Sequence, residues 1–209
     1  MGTISISFCG AGTPRPWRDD LKLTPTGSQT VGPYFHIGLS GMLIPAIAGP
    51  GVEGSRITIR GRIVDADQKP IPDALLETWQ ADAAGMYAHP KHKEGQPLRT
   101  GFLGFGRVAT DDDGAFSLTT IKPGRVPGPG GVLQGPHIAV SIFMRGILRH
   151  LVTRIYFPDE PTNEEDPILR LVHPERRATL IAKKISGDSE SLEWNVYCAG
   201  EQETVFFDC

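Results

Sequence analysis

One alternating stretch in the first third of the chain decides the fold class: Ile57-Thr58-Ile59-Arg60-Gly61-Arg62-Ile63. Isoleucine alternates there with polar residues, which is the period of a β-strand with one buried face. Residues 65–70 that follow have the composition of a turn, and the next strand is predicted to start over Ala74–Gln80. The sequence therefore predicts a strand, a turn and a second strand over residues 57–80.

The remaining sequence predicts further short strands and only one helix. Glycine and proline are frequent, at 25 and 18 residues, without a fixed repeat, which favours strands joined by turns and long ordered loops. Residues 81–114 are predicted to be mostly irregular, and a short helix is predicted to begin at Pro174 and end near Lys184. The predicted additional strands are 116–121, 138–143, 151–157, 192–197 and 204–208. The expected fold is all-β, a β-sandwich of mixed short strands with long ordered loops and an N-terminal arm.

Length and composition limit the functional classes. The 209 residues are enough for one substantial core, and we expect an arm at 1–27 followed by a single domain at 28–209. A formal charge of −3 gives no electrostatic basis for binding nucleic acid, and no apolar run is long enough to span a membrane. The odd number of widely spaced cysteines, Cys9, Cys198 and Cys209, favours unpaired thiols in a cytoplasmic protein.

The most specific motif follows the second predicted strand: Glu77-Thr78-Trp79-Gln80-Ala81-Asp82-Ala83-Ala84-Gly85-Met86-Tyr87. Three further segments follow it in order: Gly104-Phe105-Gly106-Arg107, Thr120-Ile121-Lys122-Pro123-Gly124 and Pro136-His137-Ile138. Together they resemble the intradiol ring-cleaving dioxygenases, over roughly residues 28–208. That resemblance implies a prealbumin-like β-sandwich core. It also implies a ferric site of two tyrosines and two histidines, hard donors that suit iron(III).

The resemblance to the iron site is only partial. Tyr87 matches the first tyrosine of the family and His137 matches the first histidine. The other two ligand positions fall on Val126 and Ala139, which have no side-chain donor atoms. An arginine that the family places three residues before the first histidine is Gln134 here. We therefore expect no metal site in this chain, with Tyr87, Val126, His137 and Ala139 as vestigial positions, and no catalytic residue of its own.

This pattern of losses is similar to the α subunits of the protocatechuate-cleaving branch of the family, in which two homologous chains, α and β, pair. Several segments outside the site share the similarity, among them 28–39, 145–147, 176–183 and 203–208. The resemblance implies a β-subunit partner that holds Fe(III), a higher-order αβ oligomer, and 3,4-dihydroxybenzoate as the substrate. No nucleic-acid or membrane partner is implied.

The same resemblance implies that this chain completes the substrate pocket with Gly32, Pro33, Tyr34 and Arg145. Arg145 would pair with the substrate carboxylate, Tyr34 would orient the aromatic ring, and the Gly32-Pro33 pair would let backbone approach the ligand closely. Two other interpretations stay open: Arg145 could neutralise an acidic residue at an interface, and the chain could be a non-catalytic β-sandwich binding module. A self-sufficient dioxygenase is contradicted by Val126 and Ala139.

Overall fold

The alternating isoleucine stretch forms the central strand of the first of two sheets. The computed structural model describes residues 26–88 and 101–208, so the predicted arm at 1–27 lies almost entirely outside the described residues, as do Cys9 and Cys209. The strands in chain order are β1 Arg56–Val64, β2 Leu75–Trp79, β3 Phe105–Ala109, β4 Ala115–Ile121, β5 Val126–Pro127, β6 Leu133–Gln134, β7 His137–Phe143, β8 Leu151–Tyr156, β9 Lys183–Ile185, β10 Asp188–Glu193 and β11 Val196–Tyr197.

The first sheet is built around β1. On one side residues Arg56 to Arg62 of β1 pair antiparallel with the whole of β4. On the other side it pairs in parallel first with β10 and then with β11, and β9 lies antiparallel outside β10. Ile59 and Ile63 are fully buried, whereas Arg60 and Arg62 are exposed, so the alternation in the sequence divides the strand into a core face and a solvent face.

The second sheet is antiparallel throughout, in the order β3-β2-β7-β8. Its inner face packs on the first sheet through fully buried residues such as Ile138 and Ile142, which meet Leu118 and Ile121 in one continuous core. The small β5-β6 hairpin lies apart from both sheets. Two packed sheets with one core between them confirm the predicted β-sandwich.

Helical structure is short in the described parts of the chain. The α-helix α1 spans Pro33–Leu39, and the 3₁₀ turns are Ser40–Met42, Pro129–Gly131, Pro161–Glu165, Leu169–Leu171 and Pro174–Leu180. No helix within residues 26–88 and 101–208 is both long and apolar enough to cross a lipid bilayer.

Several local predictions are wrong, because tertiary pairing decides these segments. The helix expected from Pro174 to Lys184 ends at Leu180, since Lys183 and Lys184 pair with β10 instead. The segment 204–208, expected to be a strand, has isolated bridge residues at Phe207 and Asp208 instead, and Phe207 bridges to Val152. Residues 81–114, expected to be mostly irregular, also contain β3, a strand that was not predicted.

Gly61 is the position where the first sheet tolerates no side chain. A Cβ atom there would overlap the backbone carbonyl oxygen of Trp194, which connects β10 to β11 and donates its amide to Arg60 at 2.9 Å. Because a backbone carbonyl cannot move aside as a flexible side chain can, we expect Gly61→Ala to destabilise the protein by about 3 kcal/mol or more. Thermal unfolding of the native assembly, followed by circular dichroism, should show a midpoint lower by roughly 6–12 °C.

Gly41→Ala is the matched control, because a Cβ at that exposed position meets no atom within 4 Å. Equal melting temperatures for the two variants would contradict the proposed role of the close contact at Gly61.

Candidate functional site

The signature segment after β2 is held to the first sheet by buried polar side chains. Gln80 is fully buried; its amide donates to the carbonyl of Ile121 at 3.0 Å, and its oxygen accepts from Thr120 at 2.8 Å. The carboxylate of Asp82, also buried, accepts from the backbone amides of Ala84 and Met86, both at 2.9 Å. These bonds fix the course of the loop that carries Tyr87.

Two glycines let this loop pack directly on the Lys122-Pro123-Gly124 segment. A Cβ at Gly85, where φ is +77°, would overlap the carbonyl oxygen of Arg125, and a Cβ at Gly124 would collide with the carbonyl oxygen of Ala83. The amide of Gly124 donates to the carbonyl of Asp82 at 2.8 Å. The motif glycines thus allow the contact between two loops, and this contact brings the Tyr87 loop next to Val126.

Three of the four vestigial positions lie along the outer face of the second sheet. Ala139 is directly opposite Trp79 of β2, and His137 begins the same strand two residues earlier. The ring of Tyr87 stacks on Trp79, with centroids 6.0 Å apart and an interplanar angle of 2°. The outer face of β2 and β7 therefore carries Tyr87, His137 and Ala139 in one neighbourhood.

Val126 joins this neighbourhood through the β5-β6 hairpin. It is buried and pairs with Gln134, which replaces the arginine of the family pattern. The amide of Gln134 donates to the carbonyl of Pro127 at 3.3 Å, and its oxygen accepts from Arg154 at 2.7 Å.

Arg154 is the residue at the centre of the site that the sequence analysis did not single out. It lies on β8 directly opposite Ala139, and cross-strand partners of this kind have their Cβ atoms about 4.5–5.5 Å apart on the same face. Its guanidinium donates to Gln134 and lies 3.5 Å from the hydroxyl of Tyr156. No short-range sequence pattern identifies Arg154, because its place depends on the pairing of β7 with β8.

A buried carboxylate completes the site beneath Arg154. Asp166 is fully buried and accepts from the hydroxyl of Tyr156 at 3.0 Å and from the amide of Gly135 at 2.8 Å. It also accepts from the amides of Ile168 and Leu169, at the start of the 3₁₀ turn Leu169–Leu171. One carboxylate therefore ties the strand that begins at His137 to the loop that covers it.

His137 is neutral at physiological pH in this environment. Burial and, after it, the positive charge of Arg154 lower the pKa of His137 to about 4, against the opposing effects of the hydrogen bond to Gly135 and the charge of Asp166. The Nδ1 atom lies 2.8 Å from the carbonyl oxygen of Gly135, and because a carbonyl only accepts, Nδ1 carries the proton. Burial also raises the pKa of the Tyr87 phenol, an effect that the charge of Arg154 opposes.

These residues do not fit the ferric site that the resemblance implies. Tyr87 and His137 offer two donors, whereas Val126 and Ala139 offer none, and a permanent cation lies opposite Ala139. Among the residues that the structure describes, no cluster of three or more histidine, cysteine, aspartate or glutamate side chains has the arrangement of a metal site.

The four predicted pocket residues lie in a different region, where two distant segments meet. The hydroxyl oxygen of Thr30 accepts from the amide of Gly146 at 3.0 Å, and the ring of Phe35 packs on Phe143 with centroids 5.4 Å apart. Gly32 is the N-cap of α1, Pro33 is its first residue, Tyr34 follows, and Arg145 is in the loop after β7. The segments that carry the predicted pocket residues are therefore adjacent in space.

This second region is exposed. Tyr34 has 83% of its surface accessible and the Arg145 side chain 64%. Arg145 forms an ion pair through Nε with the half-buried Asp73, a partner that the sequence analysis did not identify. This ion pair agrees with the alternative interpretation of Arg145, in which the arginine neutralises an acidic residue.

Comparisons with known proteins agree with these features. The family model described as Dioxygenase matches residues 47–200. The protocatechuate 3,4-dioxygenase alpha chain of Burkholderia cepacia is 42% identical over 202 residues, which cover 90% of this chain and 98% of that protein. The beta chain from the same organism is 35% identical over 159 residues, covering 75% of this chain and 66% of that one.

A solved structure shares the fold. The dioxygenase domain of a dioxygenase carbohydrate-binding protein fusion from Streptomyces sp. SirexAA-E superimposes with a TM-score of 0.56 at 28% identity, covering 77% of this chain and 88% of that domain.

Asp166 provides a stability test of the site. Asp166→Ala would leave four hydrogen-bond donors without their acceptor and would remove a buried negative charge near Arg154, so we expect a loss of about 3–5 kcal/mol. Asp111→Ala is the control, because Asp111 also accepts from two backbone amides but at an exposed turn, where water can replace it. Melting temperatures of the two variants decide the matter; a similar small change in both would contradict a central role for Asp166.

Proposed function

The chain belongs to the intradiol dioxygenase family, and from that premise we propose that it is the α subunit of an αβ protocatechuate 3,4-dioxygenase, a subunit that binds no iron itself. The complex inserts both atoms of O₂ into 3,4-dihydroxybenzoate, cleaving the ring between its hydroxyls to give 3-carboxy-cis,cis-muconate. The partner β subunit holds Fe(III), which supplies the oxygen chemistry. This chain contributes to substrate binding and to assembly.

The exposed surface around Tyr34 and Arg145 is the observation that carries this proposal. Tyr34 and Ile37 lie three residues apart in α1 and are 83% and 63% exposed, and Leu148, in the same loop as Arg145, is 62% exposed. Large apolar side chains exposed together beside a cation are typical of a surface that a partner protein covers. Exposed apolar side chains beside an arginine are what we expect of one half of a pocket that the β subunit closes.

Each proposed pocket residue has a distinct role in binding an aromatic acid. Arg145 pairs with the carboxylate of 3,4-dihydroxybenzoate; Asp73 contacts its Nε, and 64% of the Arg145 side chain remains exposed. Tyr34 offers a flat face and a hydroxyl to orient the ring. A Cβ at Gly32 would meet no atom within 4 Å, so the backbone before Pro33 leaves space for a ligand to approach.

Iron content and oxygen uptake test whether the β subunit holds the iron and this chain only completes the substrate pocket. The chain is produced alone and together with a β subunit, and each preparation is assayed for bound iron and for protocatechuate-dependent O₂ consumption. We expect an iron-free, inactive chain alone and a ferric, active complex. Iron and turnover in the isolated chain would contradict the proposal, and a complex that binds an aromatic acid without turnover would favour the binding-module alternative.

Arg145→Ala tests the substrate contact within the αβ complex. Loss of a charge-assisted hydrogen bond to the carboxylate is worth about 1.5–3 kcal/mol, so kcat/KM should fall by roughly tenfold to a hundredfold, mainly through KM. Iron content should not change. Arg149→Ala is the matched control, since Arg149 is in the same loop and its side chain is 79% exposed. Iron loss in Arg145→Ala, or equal kinetic effects in the two variants, would make Arg145 a structural residue.

A further inference from the structure

We propose that Arg154 takes the place of the metal ion in this chain, and that its guanidinium excludes iron from the vestigial site independently of the two missing ligands. The sequence explains the lack of iron by what is absent, at Val126 and Ala139. The structure adds something that is present: a cation on the neighbouring strand, at the position where a second histidine would extend.

The position of Arg154 follows from the strand pairing. Ala139 and Arg154 are direct partners in the β7-β8 ladder, so their side chains leave the same face of the sheet. Alanine leaves room above β7, and the long Arg154 side chain extends from β8 on that face. Its terminal nitrogen donates to Gln134 at 2.7 Å, and Gln134 in turn pairs with Val126. Arg154 thus links both positions that have lost a ligand.

The charge of Arg154 acts on the two ligand side chains that remain. It lowers the pKa of His137 and opposes the rise in the pKa of Tyr87. It acts in the same sense on Tyr156, whose pKa burial raises strongly. The contacts place the guanidinium beside these groups: it lies 3.5 Å from the hydroxyl of Tyr156, whose ring packs on His137 with centroids 5.8 Å apart. A metal ion would otherwise be the dominant charge there.

Arg154 also supplies a positive charge near a buried negative one. Asp166 has no exposed surface, and Tyr156 connects it to Arg154, with 3.0 Å from the hydroxyl to Asp166 and 3.5 Å from that hydroxyl to the guanidinium. A buried carboxylate needs hydrogen-bond donors and a nearby cation. A trivalent ion added here would be repelled by the guanidinium, so restoring the ligands alone is not expected to restore the metal.

The test restores the ligands with and without this cation. In the αβ complex, the V126Y/A139H variant is compared with the same variant carrying R154Q or R154K. Glutamine keeps a hydrogen-bonding side chain but removes the charge, whereas lysine keeps the charge. Iron per αβ pair is measured by elemental analysis, and the visible tyrosinate-to-iron charge-transfer absorption is recorded as a second readout.

We expect V126Y/A139H and its R154K derivative to hold no more iron than the wild-type complex, and the R154Q derivative to gain about one further iron per αβ pair with stronger visible absorption. A second iron in V126Y/A139H with Arg154 still present would overturn the proposal. So would an R154Q derivative that melts cooperatively but gains no iron, or an R154K derivative that gains as much iron as R154Q.

A tyrosine at the buried position of Val126 could prevent assembly, and the same comparison is then made in the A139H background, where three donor side chains are present. The experiment rests on the proposed function only for its reference value, the iron content of the wild-type αβ complex. A wild-type complex without iron would contradict the proposed division between the subunits, whereas the difference between the glutamine and lysine variants tests Arg154 alone.

Discussion

The register of β2, β7 and β8 is the constraint on which the site depends. Their inner faces must carry the apolar side chains that cover the first sheet, so alternate residues are forced to the outer face. A slip of one residue would expose the core and bury the polar row, which makes the register strongly specified. Once it is set, Trp79, Ala139 and Arg154 are fixed side by side across three strands. The chemistry of the outer face is therefore a consequence of how the core packs.

The loops over that face are held by a few buried polar groups rather than by apolar packing alone. Gln80 joins the end of β2 to β4, and Asp166 joins the start of β7 to the loop around Leu169. Each of these groups has its hydrogen bonds formed, as burial requires. A scaffold of this kind keeps its geometry when individual ligand side chains change, which explains how the arrangement of the site persists although half of the family's donor set is absent.

Sequence reasoning predicted the features that depend on short-range pattern and missed those that depend on pairing. The isoleucines of β1 and the glycine-containing motif that ends at Tyr87 can be recognised from neighbouring residues alone. In the structure the isoleucines form a strand, and the motif follows the end of β2, as the sequence predicts. β3 was missed because Gly104 and Gly106 weaken the strand signal; yet a Cβ at Gly106 would crowd Thr78 of the adjacent strand, so glycine suits this position in the sheet. Arg154 and Asp73 were missed because their roles depend on partners that are distant in the sequence. Arg154 contacts Gln134, and Asp73 contacts Arg145.

Arg145 and Arg154 lie in different environments of the same β-sandwich. Arg145 is exposed and paired with Asp73 on the surface that also presents Tyr34, so its charge remains available to an anionic ligand from outside the chain. The guanidinium of Arg154 contacts Gln134 and Tyr156, so its charge interacts with groups of the chain itself. Both arginines carry a permanent charge, and burial and partners alone separate their roles. Under the proposed function, the exposed arginine serves the substrate and the enclosed one takes the place of a metal, an arrangement suited to completing a neighbouring active site rather than forming one within this chain.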